Sequence, residues 1–449
     1  MSESNLELED GIGRVAVIGS GVMGAGVAAH CANAGCEVIL LDIVPEGEED
    51  RNLIPRKAIQ DMVKSDPEML MHKSFAKRII PGNLEDDLQK LEDCDWVVEA
   101  IVERLDIKRS LYQKISQYIG PKTIVSSNTS TLPRSSLIEG MSSEMASRFL
   151  ITHFFNPPRF LPLLEVVSDA QVDENTSSRL VEFADKRLGK RVIHCNDTPG
   201  FIGNRLGVFF IQRALSAAIE HDLTVEQADA MLGIPIGVPK TAVFGLMDLV
   251  GIDLVPHVMA SMLEHLPVDD PLHNFAGSGE EIIQQMIAEG YTGRKGKGGF
   301  YRLKKEDGKR VKEARNLKTG EYSPADRKAG FPSAKMGKQG LVRLIDYPDE
   351  GAAFVEDVLL DTLSYAAFIV PEVSDDIYSI DGAMRVGYNW KKGPFEMIDS
   401  IGASSVIERL EDSGSEVPGF LRMGSKNCLL YTSDAADEGL GVDLGGRRI

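Results

Sequence analysis

Cysteine is scarce in this 449-residue sequence. The five present, Cys31, Cys36, Cys94, Cys195 and Cys428, form no C-x-x-C pair and have no histidine at zinc-ligand spacing. That pattern excludes a disulfide framework and a structural zinc site, so inert thiols in a reducing compartment, and no metal, are expected. Basic residues are in deficit as well: 49 Lys and Arg face 68 Asp and Glu, a formal charge of -19. Nucleic acid is therefore not an expected partner, because its binding relies on dense cationic patches. A phosphate-bearing small molecule stays open, since a few local cations suffice to hold it. No apolar run approaches the roughly 20 residues needed to span a bilayer. The acidic start, MSESNLELEDGIG, lacks the basic and apolar regions of a targeting peptide. A cytoplasmic address is expected.

What is present suits a globular chain: 43% hydrophobic and 26% charged residues, with length enough for roughly two to four domains. Arg14–Ile18 is a β-branched run that stops at a glycine cluster, Val22–Ala34 has helical composition, Gly35 closes it, and Val38–Leu41 is the next apolar run. That is one βαβ unit. Further strands at Trp96–Val98, Thr123–Ser126 and Phe149–Phe155 alternate with helical stretches such as Ile107–Ile119. The predicted fold is α/β, a Rossmann-like doubly wound sheet over 12–196, followed by an all-α domain with a duplicated helical unit. Asp197-Thr198-Pro199 offers an N-cap and a first-turn proline to open the first helical domain, 197–301. The polar, lysine-rich 302–345 reads as an inserted hairpin or linker with a solvated charged face. A second, truncated helical unit follows over 346–427. Its Phe395–Gly402 aligns without gaps with Phe244–Gly251, and Asp375–Met384 resembles Val225–Met231; duplication accounts for this better than chance likeness between amphipathic helices.

Two groups of residues carry chemistry. Gly19-Ser20-Gly21-Val22-Met23-Gly24 is a G-x-G-x-x-G between strand and helix. Its glycines permit a tight turn, backbone approach to a pyrophosphate and close packing of helix on sheet. Asp42 ends the next strand, where it can accept hydrogen bonds from ribose hydroxyls and repel a 2′-phosphate; no arginine follows in Ile43-Val44-Pro45. The cofactor is expected to be NAD rather than NADP. The second group is His153, in FLITHFF, and Glu165, in LLEVV. If the intervening Asn156–Pro162 turns the chain back around Arg159, the two fall opposite each other on neighbouring strands, with Cβ atoms about 5 Å apart. A carboxylate there fixes the tautomer of a general base, although a core histidine meeting a chance acid gives the same pattern. Ser126–Thr131 follows a buried strand and suits either a ligand loop or ordinary turn chemistry. Asn204 sits within an apolar helical segment and must find a partner or face a cavity.

Taken in order, VIGSGVMGAGVA, WVVEAIVERLDIK, SSNTSTL, THFFNPP, LLEVV, NDTPGFIGNR and GRKGKGGFY closely resemble the L-3-hydroxyacyl-CoA dehydrogenase family of fatty-acid β-oxidation, from about Arg14 to Tyr301. The resemblance implies NAD as cofactor, a 3-hydroxyacyl-CoA substrate, His153 as catalytic base, Glu165 as its partner, and Ser130 and Asn204 at the reacting end of the substrate. It further implies nucleotide contacts from Gly19, Gly21, Val22, Met23, Gly24, Asp42, Ala100, Glu103, Lys108, Asn128, Ser130 and Asn156. A dehydrogenase of the same fold acting on a free hydroxy acid, and a non-catalytic NAD-binding relative, are the competing readings. The lysine-rich insert and second helical copy resemble long bacterial members that carry an enoyl-CoA hydratase domain on the same polypeptide; no hydratase-like region is visible here. Single-copy members pair through the helical domain, so an internal copy favours a monomer. Cys428-Leu-Leu-Tyr-Thr-Ser-Asp-Ala-Ala-Asp-Glu438 is what a common transposon-type sequencing adapter encodes in one frame. Native sequence is accordingly expected to stop near Asn427, with 428–449 an artefact.

Overall fold

The computed structural model describes residues 11–306 and 309–424, so the expectation for Cys428 and 428–449 lies outside the described residues. The chain divides into two compact units, Met1–Phe201 and Ile202–Ile449.

The first unit is built on an eight-stranded sheet. Its strands are β1 (Arg14–Ile18), β2 (Glu37–Asp42), β3 (Ile79–Asn83), β4 (Trp96–Glu99), β5 (Ile124–Ser127), β6 (Phe149–Phe154), β7 (Leu163–Val167) and β8 (Arg191–Cys195). The spatial order is β3-β2-β1-β4-β5-β6-β7-β8. All neighbours are parallel except β6 and β7. The order reverses between β1 and β4, the place where doubly wound sheets open a crevice at the carboxyl ends of their strands. Strands such as Val15–Ile18 and Trp96–Val98 are wholly buried, as expected when helices cover both faces. The predicted strands appear within a residue or two of their expected limits. The predicted helix Ile107–Ile119 runs instead over Leu105–Ile115. β3 carries no alternating pattern, only an Ile pair before Pro81-Gly82, and it lies at the sheet edge, where a proline is tolerated.

Asp197 does not cap a helix of its own. It accepts hydrogen bonds from the backbone N–H groups of Arg134 and Ser135, the latter at 2.7 Å. The first long helix of the second unit begins only at Gly203, after Gly200 and Phe201 at φ +78° and +51°. A short acceptor side chain caps whichever free N–H groups the tertiary fold brings near it, and here those lie far off in sequence.

In the second unit, the lysine-rich insert opens as a three-stranded antiparallel sheet, β9 (Tyr301–Glu306), β10 (Lys309–Arg315) and β11 (Tyr322–Pro324), and continues through a 3-10 helix, Pro332–Gln339, and a short helix, Leu341–Ile345. The two aligned segments are both helices, Phe244–Val250 and Pro394–Ile401. Each takes its N-terminal hydrogen bonds from a carboxylate one helix upstream. Asp229 accepts from Val243, Phe244 and Gly245 (2.9–3.1 Å), and Asp381 accepts from Phe395 and Glu396 (2.8 and 3.0 Å). Burial pushes both acids up to about 7, against the opposing pull of those N–H groups. The long helices Gly203–Glu220 and Glu350–Phe368 pack together, with Phe209 stacked on Tyr365 at 4.0 Å and Arg213 paired to Asp361 at 2.6 Å. No single helix among the described residues is long and apolar enough to cross a membrane.

Candidate active site

The glycine loop leaves β1 and enters the helix Val22–Asn33. Gly19 sits at φ +100°, and a Cβ there would stand 2.5 Å from the Ala100 carbonyl oxygen, so this turn admits only glycine beside the end of β4. At Gly24 a Cβ would stand 1.8 Å from the Gly19 carbonyl oxygen, which seals the first helical turn onto the loop. Gly21 is different. A Cβ there would meet no atom within 4 Å. Open space in front of a helix N-terminus, next to the free N–H groups of Val22 and Met23, fits the pyrophosphate of a dinucleotide. Asp42, at the end of β2, accepts from the Ser20 N–H (2.7 Å), the Ser20 hydroxyl (2.5 Å) and the Ile43 N–H (2.8 Å). It therefore braces the glycine loop, a role not read from the sequence. Two carboxylate oxygens offer about four acceptor positions, which leaves capacity for a ribose hydroxyl.

β6 and β7 fold back as the spacing predicts, and His153 pairs in register with Glu165. Glu165 is completely buried, its Oε2 accepting from the His153 Nδ1–H at 2.7 Å. With the proton on Nδ1, Nε2 carries the ring's lone pair and lies 3.1 Å from the Ser130 hydroxyl. The rings of Phe155 and Phe201 flank the imidazole at 4.6 and 5.5 Å between centroids. A buried carboxylate behind one ring nitrogen and a hydroxyl at the other is the arrangement of an oriented general base.

Ser130 is held from the far side. Glu103 Oε1 accepts from the Ser130 and Thr131 N–H groups (2.8 and 3.0 Å) and the Thr129 hydroxyl (2.5 Å). Burial would raise the Glu103 carboxyl, but the Lys108 charge and these donors outweigh it and hold the group below the usual range. Lys108 is itself buried, its ammonium 2.6 Å from Glu99 Oε1 and 3.3 Å from Glu103 Oε2. Asn128, also buried, accepts from the Phe154 N–H at 2.9 Å and so ties the loop after β5 to β6. Asn156 is exposed three residues beyond His153. The first unit thus gathers His153, Glu165, Ser130, Glu103, Lys108 and Asn128. Asn204 belongs to the second unit, half-buried in the first turn of Gly203–Glu220. Glu99 was missed in the sequence, yet it carries a signal: an acid ending the apolar run Trp96-Val97-Val98 must be paired if buried. A cavity of about 1230 Å³ lies elsewhere, lined by second-unit residues such as Asp229, Lys240, Tyr301 and Lys312, and holds none of the predicted site residues.

The NAD binding domain of 3-hydroxyacyl-CoA dehydrogenase matches residues 14–198 and its C-terminal domain matches 200–303. A putative fatty acid oxidation complex trifunctional enzyme of Rickettsia felis is 39% identical over 92% of this chain and 57% of its own length. A probable 3-hydroxyacyl-CoA dehydrogenase of Deinococcus radiodurans is 41% identical over 66% of this chain and 84% of its own. The crystal structure of 3-hydroxybutyryl-CoA dehydrogenase from Escherichia coli K12 shares the fold, with a TM-score of 0.68 at 22% identity over 94% of this chain and 99% of that one. The chain spans little more than half the length of several curated relatives it matches. With two family domains in tandem and a relative matched over most of its length, the chain belongs to the 3-hydroxyacyl-CoA dehydrogenase family.

Proposed function

We propose that the chain oxidises L-3-hydroxyacyl-CoA to 3-ketoacyl-CoA with NAD, as a step of fatty-acid β-oxidation. The observation that carries this reading is the His153–Glu165 pair at 2.7 Å, in the same unit as a glycine loop open to a pyrophosphate at Gly21. NAD, when bound, supplies the acceptor for the hydride from carbon three. Gly21, Val22, Met23 and Asp42 would hold its pyrophosphate and ribose, with Gly19, Gly24 and Ala100 shaping the loop. Glu103, Lys108, Asn128, Ser130 and Asn156 are assigned to NAD by family likeness.

The protein's own part is proton transfer. His153 Nε2 takes the proton of the 3-hydroxyl while Nδ1 stays bonded to Glu165. Positive charge then grows on the imidazole, and the buried Glu165 carboxylate stabilises it in surroundings of low dielectric. The Ser130 hydroxyl, 3.1 Å from Nε2, is placed to orient the substrate oxygen, and we assign Asn204 to the same end of the substrate by family likeness.

We also infer a cytoplasmic monomer, organised as 12–196, 197–301, 302–345 and 346–427. Packing of Gly203–Glu220 against Glu350–Phe368 within one chain supports internal rather than intermolecular pairing; a tight dimer in light scattering would count against it. The decisive experiment is NADH oxidation with acetoacetyl-CoA and with free acetoacetate. Turnover confined to the thioester supports the proposal, turnover of the free acid moves the chain to another hydroxy acid, and tight NADH binding without turnover makes it a non-catalytic relative.

A further inference from the structure

Glu99 is wholly buried at the end of β4, and both of its oxygens are fully engaged. Oε1 accepts from the Ile101 N–H at 2.7 Å and the Lys108 ammonium at 2.6 Å. Oε2 accepts from the Tyr112 hydroxyl at 2.5 Å and the Ser127 hydroxyl at 2.7 Å. Four donors occupy the four acceptor positions of a carboxylate, which fixes the group in place. A single ammonium then serves two carboxylates, because Lys108 also reaches Glu103 Oε2 at 3.3 Å. The other oxygen of Glu103 gathers the backbone that carries Ser130. The contacts run without a break from Glu99 through Lys108 and Glu103 to Ser130 and on to His153 Nε2.

We propose that Glu99 is a positioning residue, acting through Lys108 and Glu103 to set the Ser130 hydroxyl against the His153 imidazole. The role rests on the dehydrogenase reading above, and none of the site residues assigned by family likeness includes it. The physical reason lies in charge balance. A buried ammonium must be compensated by carboxylates. With the Glu99 charge removed, Lys108 is drawn to Glu103 alone, and the Glu103 carboxylate turns toward the ammonium and away from the Ser130 and Thr131 N–H groups. Ser130 then shifts relative to Nε2.

The test is Glu99→Gln, compared with Tyr112→Phe, which removes one donor from the same carboxylate but keeps its charge. Two readouts are taken: kcat at saturating NADH and acetoacetyl-CoA, and the ¹⁵N shift of His153 Nε2, identified by its loss in His153→Gln. Glu99→Gln is expected to lower kcat about 10- to 100-fold, the scale of a misplaced reacting group, and to move the Nε2 shift. Tyr112→Phe is expected to lose thermal stability and leave both readouts as in wild type. Wild-type kcat and Nε2 shift in Glu99→Gln would overturn the proposal. So would an equal kcat loss in Tyr112→Phe, which would mark packing alone. Should Glu99→Gln fail to fold, Glu99→Asp, which keeps the charge but shortens its reach to Lys108, replaces it; a lowered kcat with a moved Nε2 shift supports the proposal, and wild-type values of both overturn it. If the unaltered chain turns over no thioester, the dehydrogenase reading falls, while the Nε2 shift still decides whether Glu99 reaches His153.

Discussion

His153 and His221 are each held by carboxylates, and they are held in opposite ways. His153 offers one nitrogen to Glu165 and keeps the other beside a hydroxyl. His221, just past the helix Gly203–Glu220, has carboxylates on both: Glu350 at 2.6 Å from Nδ1 and Asp357 at 2.8 Å from Nε2. A ring with two acceptors must donate twice, so His221 is an imidazolium clamp onto the helix Glu350–Phe368, with no lone pair for catalysis. Burial would lower its pKa, but its hydrogen bonds to Asp357 and Glu350 and their charges outweigh that and raise it. One carboxylate leaves a ring nitrogen able to take a proton, and two leave none. Residue type and an acidic partner are common to both sites; the occupant of the second nitrogen separates them.

Substitutions test that contrast. The largest effect is expected for His153→Gln, which should cut kcat at least ~100-fold, the low end for loss of a general base, with NADH affinity nearly unchanged by fluorescence titration. Near-normal turnover would remove the distinction between the two histidines. Glu165→Gln keeps the shape but not the charge that steadies the imidazolium, and kcat should fall between ~10- and ~100-fold. The smallest effect is expected for His221→Gln, which should leave kcat alone and cost about 1 kcal/mol of stability, a figure held down by the exposure of Glu350 and Asp357. Its sign with pH follows from the raised pKa. The folded protein holds the proton more tightly than the unfolded chain, so the stabilisation is complete below the ordinary histidine range and fades as pH rises through the folded value. Urea titrations at pH 6 and pH 9 should therefore separate wild type from His221→Gln at the lower pH only.

Much of the first unit was legible because its signals are local and periodic. The strand β1, the glycine loop and Asp42 lie within 29 residues, 14–42, and the pairing of His153 with Glu165 needed only a turn and a period of two. That the segments around Phe244 and Phe395 form like helices was legible from their ungapped match. Less was legible wherever one side chain serves a distant backbone. Asp197 read as a local N-cap and instead holds residues 134 and 135. The burial of Lys108 between Glu99 and Glu103 was not legible either.

Spacing along the backbone was enough to read the cofactor class, the doubly wound sheet and the facing histidine and glutamate. The fold settled which acid answers which buried cation, which carboxylate braces the glycine loop and which histidine keeps a lone pair. The reason is physical: burying a charge demands a partner but does not name one, and only packing of remote segments brings a particular oxygen within reach.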